Sequence, residues 1–256
     1  MSLHKILRGT RPSNPPFRVR RNLLPYGVLL FLCLSAPAHA LAAPDSPLAP
    51  SPEQILTRME QRYERQIRVL ESYQARRRYS VTHALLSQPA YLVIEEHYRA
   101  PGEKRFRVLE RGGSTEVQER VFSRLLEVEK ETTPEEVRRQ VDLCRRNYHF
   151  TFQRYDPAAR AYVFAVEPRG TNPYLLRGKI WINDQDFGVQ HIEGQPVRRH
   201  SMFVRQTTFV HEFARFGEFW FPVRHRSETE LFLFGSAVLE IHYSDYHWQS
   251  QKEKRP

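Results

Sequence analysis

The sequence predicts a mainly β fold with helices (α+β), in which about ten strands form one antiparallel sheet. Runs rich in β-branched and aromatic residues follow one another without a βαβ alternation, and this order favours antiparallel pairing. Turn residues such as Ser87-Gln88-Pro89 and Pro101-Gly102 separate the runs. The predicted strands are 73–86, 90–99, 104–111, 148–154, 161–167, 175–183, 189–197, 202–216, 218–227 and 230–248.

A helix is predicted before the first strand. Ser51-Pro52-Glu53-Gln54 has the pattern of a capping box with proline at the first helical position. Apolar residues then recur at spacings of four and three, which predicts one apolar stripe on a helix over 52–72. The stripe consists of Ile55, Met59, Tyr63, Ile67 and Leu70.

Two further helices are predicted between the third and fourth strands. Thr115 to Gln118 and Thr133 to Glu136 are both capping-box patterns, and each precedes a narrow apolar stripe. The second stripe consists of Val137, Val141 and Cys144. Inserted helices of this kind cover an open sheet end. They either complete an ordinary core or act as a lid over a cavity, and the sequence leaves both open.

The N-terminus has the pattern of a secretory signal. Basic residues come first, a 13-residue apolar run follows from Leu23 to Ser35, and small residues follow at Ala40 and Ala42. A membrane anchor would need about 20 apolar residues. We therefore expect a signal peptide at 1–42, cleavage near Ala42 and a periplasmic protein. A Pro-rich lead-in (43–50), one domain (51–248) and a polar tail (249–256) would follow.

The net charge of +10 mostly describes this leader. Residues 1–42 hold six of the 39 basic residues and none of the 29 acidic ones, so the remainder carries only +4. A nucleic-acid partner is therefore not expected. Arginine clusters such as Arg76-Arg77-Arg78 are interpreted as solvated faces.

Cysteine usage predicts no internal disulfide. After the leader, which contains Cys33, only Cys144 remains. Because Cys144 continues a helical apolar stripe, we expect it to be a free structural thiol in a helix.

No motif for catalysis is recognisable. His211-Glu212 begins like a zinc-protease motif, but Arg215 stands where the second histidine belongs. In an extended strand Asp245 and His247 share a face from which His242 points away. We therefore predict no catalytic residue, no metal ligand and no cofactor.

The order of these elements resembles the periplasmic lipoprotein-carrier superfamily (LolA/LolB-like, outer-membrane lipoprotein-sorting proteins). The resemblance is carried by 72–75, by 99–107, by Gly178-Lys179-Ile180-Trp181-Ile182-Asn183 with the following strand, and by 219–222 through 244–246. It implies a strongly curved antiparallel β half-barrel, with helices that close over a cavity for acyl chains. It also implies that Arg99, near the proline of the second turn, helps to hold the lid.

Aromatic residues are concentrated in the predicted strands, and aromatic lining is common in apolar pockets. Together with the resemblance, this predicts a binding or carrier protein that holds acyl chains of a lipoprotein or lipid and acts as a monomer. An inner-membrane or outer-membrane partner protein is a further expectation. An envelope-stress sensor of the same fold and a metal-dependent hydrolase are the alternatives. The predicted ligand-binding residues are Arg99, Phe106, Trp181, Phe203, Phe209, Phe213 and Trp220.

Overall fold

The computed structural model describes residues 49–198 and 204–251, and the structural statements below concern these ranges. The predicted signal peptide, most of the lead-in, Phe203 and the end of the tail from 252 onward lie outside the described residues. Within the described ranges, none of the helices has the length and apolar character needed to cross a bilayer.

Within residues 49–198 and 204–251, ten strands and four helices make up the fold. The helices are α1 (Pro52–Val69), α2 (Thr115–Val117), α3 (Ser123–Thr132) and α4 (Glu135–Arg139), and a π-helical turn (Gln118–Phe122) joins α2 to α3. The strands are β1 (Leu70–His83), β2 (Ala90–Arg99), β3 (Glu103–Gly112), β4 (Tyr148–Asp156), β5 (Ala161–Pro168), β6 (Leu176–Asn183), β7 (Val189–Pro196), β8 (Val204–Phe216), β9 (Phe219–Leu231) and β10 (Gly235–Ser250).

The strands form one curved, unclosed antiparallel sheet, which confirms the predicted fold class. Their order is β3-β2-β1-β10-β9-β8-β7-β6-β5-β4, so the first and last strands pair in the interior of the sheet. The two edge strands, β3 and β4, are consecutive in the chain. The segment 113–147, which contains α2 to α4, therefore connects one edge of the sheet to the other.

Helix α1 begins as the sequence predicts. The Ser51 hydroxyl accepts from the Gln54 amide at 3.3 Å, and the Gln54 side chain accepts from the Ser51 amide at 2.9 Å. Its apolar face packs on the half of the sheet formed by β4 to β7. The buried members of this first core cluster are Ile55, Leu56, Met59, Tyr148, Phe164, Val166, Leu175, Ile180 and Ile182.

The inserted helices α2 and α3 pack on the opposite half of the sheet. Phe122 in the π-helical turn is buried against Tyr79, with ring centroids 6.0 Å apart. The cap is Ser114, whose hydroxyl accepts from the Val117 amide, and it precedes the predicted Thr115 by one residue. The second core cluster contains Tyr79, Val81, Ala90, Leu92, Ile94, Phe122 and Ile241.

The predicted helix through Cys144 is wrong in its cap and in its length. Thr133 is helical and donates its hydroxyl to the Glu129 carbonyl at 2.5 Å, so it closes α3 and cannot cap a new helix. Helix α4 starts after Pro134 without a side-chain cap and ends at Arg139. Cys144 is a free, half-buried thiol in the turn that leads into β4.

Candidate functional site

An apolar cavity of about 330 Å³ lies between α1, the turn after α4 and strands β6 to β9. These elements supply its apolar side chains, so the cavity is lined by parts of the fold that are distant in the chain. Its volume is at the lower end of the range for small-molecule sites, about 300–1,000 Å³. The apolar lining consists of Met59, Tyr63, Val141, Leu143, Tyr148, Tyr174, Leu176, Phe187, Val189, Ile192, Phe213 and Trp220.

A few polar groups line the same cavity. Tyr63 donates to Asp142 at 2.6 Å, which ties α1 to the turn after α4. Burial raises the pKa of Asp142, although the hydrogen bond from Tyr63 and the neighbouring arginines oppose this shift. Burial also lowers the pKa of Arg62, which lies 3.7 Å from Asp186. The arrangement of apolar walls with few oriented polar groups is typical of a site for an amphipathic or apolar ligand.

Trp220 is fixed on three sides at one end of the cavity. Its backbone amide donates to Gln66 of α1 at 2.9 Å, and the Gln66 amide donates back to the Trp220 carbonyl at 3.1 Å. Its indole Nε1 donates to both carboxylate oxygens of Asp186, at 3.0 and 3.2 Å. The indole lies against Gly188, where a Cβ atom would be 2.0 Å from Nε1. Only glycine at 188 leaves room for this orientation of the ring.

Replacing Gly188 with alanine is therefore expected to displace the Trp220 indole and break its bonds to Asp186. Overpacking of this kind costs about 1–3 kcal/mol. Urea unfolding followed by circular dichroism measures the loss, and tryptophan emission reports the displaced ring. Gly170→Ala is the matched control, because a Cβ there meets only Leu175 at 3.8 Å. It is expected to change stability by less than about 1 kcal/mol. Equal losses of stability in Gly188→Ala and Gly170→Ala would contradict the close packing of the Trp220 indole against Gly188.

A network of buried charges connects α3 to the inner face of the sheet. Arg77 of β1 is 4% exposed and Glu96 of β2 is 0% exposed, and the two form a salt bridge. Both terminal nitrogens of Arg77 also donate hydrogen bonds to Glu129 of α3, at 2.5 and 2.8 Å. Lys104 of β3 completes the network at 2.5 Å from Glu129 and 3.0 Å from Glu96. Two cations and two anions thus balance, and Glu129 attaches the inserted helix directly to β1 and β3.

Neighbouring charges in this network shift the pKa values of Glu129 and Lys104. Burial alone would raise the pKa of Glu129, but Arg77 and Lys104 outweigh it and hold this pKa at about 2. Burial alone would lower the pKa of Lys104, but Tyr73, Glu129 and Glu96 outweigh it and raise this pKa. Tyr73 donates to Glu96 at 2.9 Å, which satisfies a further acceptor. Glu129 and Lys104 therefore stay ionised over the whole physiological range.

Two neutral histidines lie between the two core clusters, on β8 and β9. The His211 and His225 rings are 5.2 Å apart, and His211 stacks on Phe213 at 4.5 Å. Burial lowers the pKa of His225 to about 4. Burial, helped by His225 and Arg77, lowers that of His211 to about 3. His211 Nε2 is buried and has no hydrogen-bond partner among the described residues.

Of the predicted ligand-binding residues, the structure brings Phe213 and Trp220 together in the apolar cavity. Phe209 lies beside the histidine pair, 5.8 Å from the His225 ring, and Phe106 packs in the second core cluster. Trp181 stands between the core residues Ile180 and Ile182, and its ring meets His191 at 4.6 Å. It lines a second pocket together with Phe213 and Trp220.

Arg99 is exposed at the end of β2, opposite Glu103 in the register of the sheet. In the described part of the chain, Glu129 of the inserted helix is held by Arg77 and Lys104. The interpretation of Arg76-Arg77-Arg78 as a solvated face is wrong for Arg77. The sequence did contain a signal for the burial of Arg77, because strand alternation places it on the face of Ala75, Tyr79 and Val81. The same alternation places its partner Glu96 on the face of Ala90, Leu92 and Ile94, so the burial of Glu96 also had a signal.

Within residues 49–198 and 204–251, no group of three or more histidine, cysteine, aspartate or glutamate side chains is arranged to hold a metal ion.

The comparisons with known proteins concern the fold. No family model and no curated protein matches the chain. The chain is similar to LolA-superfamily structures. One is a LolA-superfamily protein of Nitrosomonas europaea, with 13% identity, a TM-score of 0.42, and coverage of 80% of this chain and 97% of that one.

Two further solved structures are similar at the same TM-score of 0.42. A putative outer-membrane lipoprotein-sorting protein domain of Vibrio parahaemolyticus has 12% identity and covers 79% of this chain and 95% of that chain. A DUF1329 family protein of Desulfovibrio piger has 10% identity and covers 76% and 90%.

Proposed function

We propose that the protein is a periplasmic carrier that binds an acyl chain of a lipoprotein or lipid in the apolar cavity between α1 and the sheet. The observation that carries the proposal is the aromatic and aliphatic lining of this cavity, which Phe213 and Trp220 share with residues of α1 and of the turn after α4. An apolar cavity wall favours an apolar ligand, because binding removes apolar surface of both from water. Each buried methylene contributes about 0.8 kcal/mol.

The inserted segment 113–147 acts as the gate in this proposal. Its last part contributes Val141 and Leu143 to the cavity wall, and its helix α3 is held to the sheet through Glu129. Tyr174 of the cavity wall also donates to Glu131 of α3 at 3.3 Å. Movement of α3 would therefore act on both the charge network and the cavity wall at Tyr174. A chain of many methylenes supplies enough free energy to offset the opening of such a segment.

The proposal predicts saturable binding of a fluorescent fatty acid to the purified protein, measured by the probe's emission and by tryptophan quenching. Val141→Trp places a large ring in the cavity wall and is expected to weaken binding about tenfold or more, a loss of about 1.4 kcal/mol. Leu109→Trp is the control, because Leu109 is an exposed residue of β3 away from the cavity.

Two outcomes would count against this function. If no acyl-chain probe binds saturably to protein with intact near-ultraviolet circular dichroism, the protein is not an acyl-chain carrier. If Val141→Trp and Leu109→Trp both bind like the unmodified protein, the ligand occupies another place.

A further inference from the structure

Four large apolar side chains are exposed on two turns at one end of the sheet. The β9–β10 turn presents Phe232, Leu233 and Phe234, which are 55%, 83% and 52% exposed, and the β1–β2 turn presents Leu85, which is 73% exposed. We call these two turns, residues 84–89 and 231–236, the apolar tip. Exposed single apolar residues are ordinary, but a cluster of this size on a small protein marks an interaction site.

The two turns are held side by side. Strands β1 and β10 pair up to His83 and Ala237, directly before the one turn and after the other. His83 then bridges them. Its Nδ1 accepts from the Leu85 amide at 3.1 Å, so its Nε2 carries the proton and donates to the Phe234 carbonyl at 2.7 Å. The apolar tip is therefore one surface fixed by the sheet.

The apolar tip carries no charge. The segments 84–89 (Ala-Leu-Leu-Ser-Gln-Pro) and 231–236 (Leu-Phe-Leu-Phe-Gly-Ser) hold no acidic or basic residue. The neighbouring strands do carry charges, such as Arg205 and Glu230, which lie 3.9 Å apart. The change from charged strands to an uncharged tip matches the change from water to the interior of a lipid bilayer.

We propose that the apolar tip inserts into the surface of a lipid bilayer. The size of the surface favours lipid over a protein partner, because a stable protein interface needs about 20–30 residues on each side. Four phenylalanine and leucine side chains on two turns are too few for that. They suit the interfacial region of a membrane, where a small apolar element anchors a protein reversibly. The inference stands on the apolar tip and does not depend on the cavity.

The first test is partition onto phosphatidylcholine vesicles, measured by flotation in a density gradient. Leu233→Glu is expected to weaken partition about tenfold or more, because the transfer of one large apolar side chain is worth at least that factor. Ala158→Glu is the matched control. Ala158 is exposed in the β4–β5 turn, at the opposite end of the sheet. Added phosphatidylglycerol and added salt are expected to leave partition unchanged, since the apolar tip is uncharged.

The second test places an environment-sensitive fluorophore on a single cysteine, in a background with Cys33→Ser and Cys144→Ser. The label on Leu233→Cys should brighten and shift to the blue when vesicles are added, and the label on Ala158→Cys should not. Absent partition, equal partition of the two glutamate variants, or partition lost in salt would overturn the proposal. Leu233→Glu should still bind the fatty-acid probe in solution, so a failure here is separable from a failure of the carrier function.

Discussion

Replacing Arg77 with leucine is expected to lower the free energy of unfolding by about 3–5 kcal/mol, as measured by guanidinium denaturation. Removing one partner of a buried ion pair leaves an uncompensated charge in a medium of low polarity. Here the change would leave Glu96 and Glu129 with Lys104 as the single cation of the network. Amide hydrogen exchange in 123–132 should rise with it, because Glu129 attaches α3 to the sheet through this network.

Arg78→Leu is the matched control for this substitution. Arg78 is the next residue of β1, but it is exposed on the other face, where its guanidinium lies 5.0 Å from the Tyr91 ring. An exposed contact of that kind contributes about 0.5–1 kcal/mol.

The double variant Arg77→Leu/Glu129→Leu should recover part of the loss. Lys104 and Glu96 remain paired at 3.0 Å in that variant, so the charge is balanced again. Equal losses for Arg77→Leu and Arg78→Leu would show that the buried network is not the cause.

Acidification from pH 6.5 towards pH 4 is expected to destabilise the protein strongly through His211 and His225. Both pKa values are lowered in the folded state, to about 3 and about 4, from an ordinary value of 6.5. Below pH 6.5 these two histidines bind protons in the unfolded chain but stay neutral in the folded chain. The stabilisation is therefore complete above pH 6.5 and is lost as the pH falls through this window. Each histidine contributes up to about 1.4 kcal/mol per pH unit.

Measuring the free energy of unfolding at several pH values tests this expectation. His225→Phe should flatten the slope above pH 4.5, because it removes one of the two groups. His149→Phe, at an exposed position of β4, should leave the slope unchanged. Glu129 acts in a separate range. Its pKa of about 2 lies below its ordinary 4.5, so its contribution is lost only as the pH falls below 4.5. An unchanged slope in His225→Phe would contradict the burial of these rings as neutral groups.

Most elements of the fold could be predicted because their signals are local. The strand Ala90–Arg99 and the start of α1 at Pro52 appear where the sequence places them. The misplaced helix after Thr133 shows the limit of such signals. A capping-box pattern shows that a threonine hydroxyl is able to cap a helix. The Thr133 hydroxyl instead donates to the Glu129 carbonyl at the end of α3. Competition between two local structures is decided by the packing of the helices, which a short sequence motif does not contain.

The candidate site could be predicted only in part. Phe213 and Trp220 were selected because aromatic residues crowd their hairpin; both line the cavity, and their role in binding stays a prediction. Trp181 was selected as an aromatic residue of a different strand, and its role in binding also stays a prediction. Aromatic composition does not show which face of a strand a side chain occupies, because one residue of displacement reverses the face. The role expected of Arg99 remains a prediction, while the structure shows Arg77 and Lys104 at the inserted helix.

The sequence by itself determined the class of the fold, the antiparallel order and the helical insertion, because alternation, turn residues and helix stripes depend on neighbours in the chain. Only the tertiary structure decided that β1 pairs with β10, that β3 and β4 become the edges, and that four charges from β1, β2, β3 and α3 meet. These contacts join residues far apart in sequence. Their free energy depends on mutual burial, which no local segment of the chain encodes.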